Sequence, residues 1–295
     1  MILQRLKRSL LFRIAPYIKD DVTYIKWRWN AYMDYPLNLE DPKSFNEKLQ
    51  WIKLYDRQPI YSKLVDKYEV KQFVADIIGE EHIIPTIGVY DSVEDINFDE
   101  LPQQFVLKCT HDSGGIVICR DKSSLNRETA IKKLQRGLKK NYYYQNREWP
   151  YKNVKPRIIA EQYMDNVGQE LDDYKVHNFN GEPKVILVCS DRYKESGLTE
   201  DFYSCEWQHL DLSRPGLQHS KEVQHKPAEL DKMLELASKL SKDIPFVRTD
   251  FYIIDHQVYF GEMTFFPACG MKPFEPREWD YNFGDWLKLP MNNEK

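Results

Sequence analysis

Two acidic residues near the C-terminal end, Asp250 and Glu262, lie inside apolar runs, FVRTDFYIID and QVYFGEMTFF (246–266). If the chain turns over Asp255-His256-Gln257 and Ile254 pairs with Val258, the register puts Asp250 directly opposite Glu262. Alternation then gathers Arg248, Asp250, Glu262 and Thr264 on one face and Val247, Phe251, Ile253, Tyr259, Met263 and Phe265 on the other. Opposed carboxylates repel unless a cation neutralises them. A hard oxygen pair of this kind suits Mg²⁺, which uses one or two carboxylates together with substrate phosphates. The alternative is an exposed polar face with Arg248 bridging the acids, and a two-residue turn would undo the pairing.

A second set of charged residues precedes this hairpin. Lys108 is embedded in FVLKCTH and is followed at once by a glycine loop, His111 to Gly115, containing Ser113 and Gly114. Backbone N–H groups in such a loop can cradle phosphates while the lysine supplies charge, although an edge-strand lysine reaching to water has the same sequence. The loop is neither G-x-x-x-x-G-K-[ST] nor G-x-G-x-x-G, so P-loop and Rossmann readings fail. Glu161, Gln162, Tyr163 and Met164 end the apolar run RIIA, where a strand leaving one lobe for another can offer backbone groups to a purine or can merely connect domains. Lys175, in DDYKVHNF, is a further strand cation or a surface charge. None of the seven histidines carries a Ser-His-Asp order or an H-E-x-x-H string. The spacing of His209, His219 and His225 is too irregular to suggest a metal site.

The elements that must position these residues are helical first and stranded later. Residues 44–56 and 61–80 carry apolar positions at helical spacing, with Gly79 as a stop. HIIPTIGVYDS (82–92) reads as a strand leaving a pre-domain, and 92–104 as an acidic connector. Strands follow at 105–111 and 116–121, then a helix from about Ser124, a possible cap, to Lys140. Another strand spans 157–164, with a polar turn at 165–169 after it. A hairpin turns at Asn180-Gly181, 190–226 is loop-rich, and a helix covers about 227–242. The expected organisation is a helical N-terminal region with a pre-domain segment (1–103), a small α+β lobe (104–160) and a large lobe with the metal site (161–295).

Composition bounds the partners. A 295-residue chain with 42% apolar and 30% charged residues and abundant aromatics is an ordered globular protein. Its net charge of −4 gives no basic field for non-specific nucleic-acid binding, so no nucleic-acid partner is expected. Five cysteines without a C-x-x-C pair suggest neither a disulfide framework nor a zinc knuckle, and read as reduced thiols of a cytoplasmic protein. The N-terminus lacks the features of a secretory signal or a spanning helix. It mixes Leu3, Leu6, Leu10, Leu11 and Ile14 with Arg5, Lys7, Arg8, Arg13 and Lys19, as a helix packed on its own domain or one touching the inner membrane face would.

The order of lysine strand, glycine loop, helix, A-E-Q-Y-M connector, D-Y-K strand and R-x-D … G-E-x-T resembles the ATP-grasp superfamily, specifically its TupA-like family of teichuronopeptide, capsule and O-antigen gene clusters. SFNEKLQW, LYDRQPIYSKLVDKY, FVLKCTHDSGG, NREWPYKNVKPRIIAEQYM, DYKVHNFNG, PFVRTDFY, YFGEMTFFPACG and EWDYNFGDWL carry the likeness over about residues 40–290. The resemblance implies an α+β fold whose two lobes clasp ATP. Lys108 and Lys175 would meet the phosphates, His111 to Gly115 would close over them, and Glu161 to Met164 would form the adenine hinge. Asp250 and Glu262 would hold Mg²⁺, with Arg248 poised over the transferring phosphoryl group. Thr264 stands where ATP-grasp enzymes usually have Asn, two residues after the second metal acid. The implied activity is ATP-dependent ligation of a carboxylate, such as a uronic acid, to an amine, such as an amino acid, through an acyl phosphate. A glycosyltransferase and a non-catalytic nucleotide-binding scaffold are the rival readings. The former would want a D-x-D-like motif, which does not occur outside the acids already named.

Overall fold

The computed structural model describes residues 2–165, 171–191, 197–221 and 223–290, with side chains from Lys7 onward. The polar turn expected at 165–169 lies, past Asp165, outside the described residues, as do the side chains of Leu3, Arg5 and Leu6. Two antiparallel sheets dominate. The smaller combines β1 (Thr86–Tyr90), β2 (Phe105–Cys109), β3 (Ile116–Cys119) and β4 (Ile158–Gln162) in the order β1-β4-β2-β3. The larger combines β5 (Asp173–Phe179), β6 (Glu182–Ser190), β7 (Thr199–Ser204), β8 (Phe246–Ile254) and β9 (Gln257–Thr264) in the order β7-β6-β5-β8-β9.

The helical N-terminal region is α1 (Ile2–Ile14), α2 (Asp21–Tyr32), α3 (Phe45–Tyr55), α4 (Ile60–Val65) and α5 (Glu69–Ile78). Ser44 and Glu47 form a reciprocal capping box that starts α3. The helix expected over 61–80 is broken in two, because the Asp66 carboxylate accepts the Tyr68 and Glu69 N–H groups and opens a new helix there. Gly79, at φ +104°, ends α5 as its sequence position predicts. On α1, Leu11 is buried and Arg8 Nε donates to the Ala31 carbonyl of α2 at 2.8 Å, whereas Leu10 and Phe12 stay exposed. Among the described residues, no helix is long and apolar enough to cross a membrane.

β1 is built into the small sheet beside β4, and Val93, Ile96, Phe98 and Leu101 of the acidic connector fill the same core as Phe105, Leu107 and Ile158. The position 103/104 therefore falls inside the small unit, and 160/161 falls within β4. The helix behind this sheet, α6 (Arg127–Leu138), is capped by Asn126 rather than Ser124. After α6 the chain leaves the small lobe: α7 (Tyr143–Asn146) and the turn at Trp149–Tyr151 dock on the N-terminal helices before β4 rejoins the sheet. Tyr24 donates to Gln145 O, Arg28 to Asn146 Oδ1, and Arg147 to Ala15 O and Ile18 O.

The large sheet packs α8 (Leu230–Ser241) on one face, with α5 against α8. On the other, strand alternation lines up Asp173, Lys175, His177 and Phe179 of β5 with Phe246, Arg248, Asp250 and Tyr252 of β8. The Phe179 and Phe246 end is closed by Phe45 of α3 and Phe283 of α9 (Glu278–Trp286). Asp280 locks these helices together, accepting from Asn46 N at 2.9 Å and Tyr35 Oη at 2.8 Å. The opposite end, at Asp173 and Tyr252, faces the small sheet. β7 emerges inside the stretch expected to be loop.

The last hairpin differs from expectation in its turn. Ile254 pairs with Gln257 across a two-residue turn, Asp255 (φ 48°) and His256 (φ 63°). A bulge between the Phe251–Phe260 and Asp250–Glu262 pairs then inserts Gly261 and shifts the register by one, so Asp250 still faces Glu262 and Arg248 faces Thr264. The side-chain parity of β9 switches at this glycine. Val258 and Phe260 are core residues, as is Met263, whereas Tyr259, expected on the apolar face, pairs with Tyr252 on the other.

Candidate active site

Between the sheets lies a slot walled by Val106, Ile116 and Ile118 from the small lobe and floored by Leu171, Asp173 and Tyr252 from the large one. Gln162, Tyr163 and Met164 edge it where β4 ends. Apolar walls with a polar rim suit a planar heteroaromatic ring. Lys108 points into the same slot, with its ammonium 2.5 Å from Glu161 Oε2, while Lys71 reaches Glu161 Oε1, also at 2.5 Å. Burial alone would raise the Glu161 pKa, but Lys108 and then Lys71 overcome it and keep the acid ionised. Glu161 is thus a buried anion orienting two lysines. Tyr163 and Met164 supply the slot's edge, with Tyr163 Oη accepting from Arg120 at 3.1 Å.

One step along β5 and β8 from Asp173 and Tyr252 is the ionic cluster. Asp250 is buried and receives Arg248 Nε at 2.6 Å, Arg248 Nη2 at 2.7 Å and Lys175 Nζ at 2.6 Å. Three short charge-assisted donors mark it as the anionic centre. Arg248 and Lys175 are held protonated above their ordinary range, since Asp250 outweighs the burial that opposes their charge. Arg248 Nη2 also meets Glu262 Oε1 at 3.2 Å and Thr264 Oγ1 at 3.1 Å, and Thr264 donates to Glu262 at 3.1 Å. Arg248 therefore does bridge the acids. Unlike Asp250, Glu262 leaves 41% of its side chain open. Burial would raise it, but Lys67, Arg248 and Lys175 hold it at about 2.

The glycine loop does not line the slot. His111 is buried, with Nε2 3.1 Å from the Lys140 carbonyl at the end of α6, so it faces away from the slot. Ser113 and Gly114 are exposed, and none of His111, Ser113, Gly114 or Gly115 lines the slot. The Asp112 carbonyl instead accepts Lys67 Nζ at 2.6 Å, which brings the loop beside the cation that faces Glu262. The arrangement unites Lys108, Glu161, Gln162, Tyr163 and Met164 around the slot and Lys175, Arg248, Asp250, Glu262 and Thr264 beside it.

Sequence reading missed Lys67, Lys71, Asp173 and Tyr252. The lysines sit at and just after the Asp66 break, and a helix break made by a side chain is the signal that could have found them. It also missed a buried group on the far side of Glu262. There burial raises the pKa of Glu148, Lys53 Nζ donates to Gln50 Oε1 at 2.9 Å and to the Cys269 carbonyl at 2.6 Å, and Tyr142 and Tyr151 are within electrostatic reach of both Glu148 and Glu262.

A family profile described as TupA-like ATPgrasp matches residues 47–288. None of the curated proteins matches the sequence significantly. Among solved structures, D-alanine–D-alanine ligase from Bacillus anthracis complexed with ATP is 18% identical at a TM-score of 0.44, covering 76% of this chain and 65% of that one. The Helicobacter pylori D-alanine–D-alanine ligase is 14% identical at 0.43, covering 83% and 70%. The ATP-grasp ligase PsnB, complexed with minimal precursor, Mg and ADP, is 10% identical at 0.39, covering 74% and 57%. The chain spans less than two thirds of the Bacillus anthracis enzyme and of PsnB.

Proposed function

The chain belongs to the TupA-like ATP-grasp family, and on that premise we propose that it is a Mg²⁺- and ATP-dependent carboxylate–amine ligase of bacterial surface-polysaccharide synthesis. The observation that carries this reading is the adjacency of an apolar slot, edged by Gln162, Tyr163 and Met164, to a cluster in which Lys108, Lys175, Lys67 and Arg248 surround Glu161, Asp250 and Glu262. Adenine would take the slot, and the phosphates would run toward the cations. Hard oxygens on Glu262, Thr264 and Asp250 fit Mg²⁺. Glu262 is the acid with room for it, because Asp250 already binds Arg248 and Lys175. When bound, the ion would neutralise charge on the phosphate oxygens.

In the proposed reaction a substrate carboxylate oxygen attacks the γ-phosphorus, the β,γ-bridging oxygen leaves with ADP, and an amine then displaces phosphate from the acyl phosphate to give an amide. The residues of the chain act by position and charge. Arg248, braced by Asp250, presents its outer Nη2 toward Glu262, and Lys175 is fixed by the same carboxylate. The protein supplies no covalent nucleophile in this scheme: the Cys189 thiol, within electrostatic reach of Lys175, is pushed up to about 12 by burial and stays neutral. The acid is proposed to be a uronic acid and the amine an amino acid.

ADP release from Mg·ATP, screened over uronic acids and amino acids, tests the proposal. A ligase forms ADP only with its acid. A transferase consumes a nucleotide sugar instead, and a scaffold turns over neither. Glu262→Gln and Asp250→Asn are expected to lower kcat by about 100-fold or more. Unchanged ADP formation in both variants would remove the assignment of the acids.

A further inference from the structure

We propose that Asp201, His209 and His219 form a binding site for a divalent transition metal of borderline softness, Zn²⁺ first among them, at the outer edge of the large sheet. Asp201 Oδ1 is 3.3 Å from His209 Nε2 and 3.0 Å from His219 Nδ1. All three ligand atoms lie within 4.8 Å of one another. Ligand atoms on a tetrahedral ion with bonds of about 2.0–2.1 Å stand roughly 3.3 Å apart, so the two Asp–His separations are close to those of a coordination shell. Two imidazoles and one carboxylate make a three-ligand set with a fourth position open, and here the histidines are partly exposed, so an ion and a water or small anion can enter from solvent.

The ligands are held in place by main chain. Asp201 sits in β7, and Leu210 N donates to Phe202 O at 2.8 Å, which pins His209 beside that strand. Glu200 N donates to Gln218 O at 2.9 Å, which pins His219. The second carboxylate oxygen of Asp201 is oriented by Ser220 N at 2.9 Å, the kind of outer contact that fixes a ligating group. Sequence spacing concealed this, because the loop returns twice to one strand instead of presenting its histidines from one helix or hairpin. His225 stays outside the group. The site is separate from the ionic cluster: β7 is at the opposite edge from β9, and Asp201, opposite Val188, points to the other face of the sheet from Lys175 and Asp250.

The test uses the full chain stripped with a chelator, titrated with Zn²⁺ by calorimetry and with Co²⁺ by visible absorption. One equivalent of Zn²⁺ per chain and intense four-coordinate Co²⁺ bands are expected. The His209→Ala/His219→Ala variant should lose more affinity than the roughly 10–100-fold that outer-contact mutations cost, while its Mg·ATP binding is unchanged. Asp201→Asn, which keeps the shape, gives a second reading should the double variant fold poorly. Glu262→Gln should retain Zn²⁺ binding. The proposal is overturned if the wild-type chain takes up no Zn²⁺, if the histidine and Asp201 variants bind it as tightly as wild type, or if binding is lost in Glu262→Gln.

Discussion

Asp250 and Glu262 face each other across two strands yet have opposite surroundings, one sealed by Arg248 and Lys175, the other open. Their meeting was legible because strand alternation and register act on residues close in sequence. Lys67 and Lys71 were not, since lysines in an amphipathic helix are ordinary and their carboxylate partners lie far along the chain. His111 misled for a related reason: a histidine before two glycines reads as a loop residue, but its ring is drawn under α6. His177 and His111 carry a residue-scale prediction. Burial lowers both pKa values, for His177 with Arg248 and Arg214 adding to the effect. Folded, they stay neutral where the unfolded chain takes up a proton, so stability is whole above about pH 6.5 and falls as pH drops below it, by at most about 1.4 kcal/mol per pH unit for each histidine. Imidazole resonances followed by NMR between pH 8 and 5 should show His177 not titrating. A midpoint near 6.5 would contradict this.

At the scale of elements, the bulge at Gly261 reconciles a two-residue turn with the opposed acids. Sequence reasoning reached the right pairing through the wrong turn, because it had no means of locating a bulge; only the glycine hinted at one. A Cβ at this position would stand 3.2 Å from the Asp250 carbonyl and 3.1 Å from the Tyr252 ring. Gly261→Val should therefore cost about 1–3 kcal/mol through overpacking, measured by urea denaturation, and should weaken Mg·ATP binding more than Gly261→Ala does. Equal stability of Gly261→Val and wild type would show that the bulge is not tightly packed. The split between α4 and α5 has the same character: hydrophobic spacing runs through it, and a single carboxylate breaks it.

Over the whole molecule, the two sheets and most of their strands were readable, whereas the division between them was not. Phe45 in the N-terminal region and Phe283 near the end complete the large-lobe core, and residues 93–101 complete the small one. Such closure joins segments with no local periodicity in common. Since the slot draws on both lobes, a bound nucleotide should tie them together. Mg·ATP at 100 times its Kd should raise stability by about 2.7 kcal/mol, read as an upward shift in Tm that ATP without Mg²⁺ reproduces only in part. No shift with Mg·ATP would count against the slot as the nucleotide site.

The excursion of residues 141–157 has a mechanical consequence. It departs from the small lobe after Lys140 and comes back at Arg157, and in between it is fastened to α2 and to the turn joining α1 to α2 through Tyr143, Asn146 and Arg147. The lobe is thus moored here to a body outside itself, as it also is through Lys67 and Lys71. Any swing that widens the cleft would have to work against these moorings, and the N-terminal helices are the post that carries them.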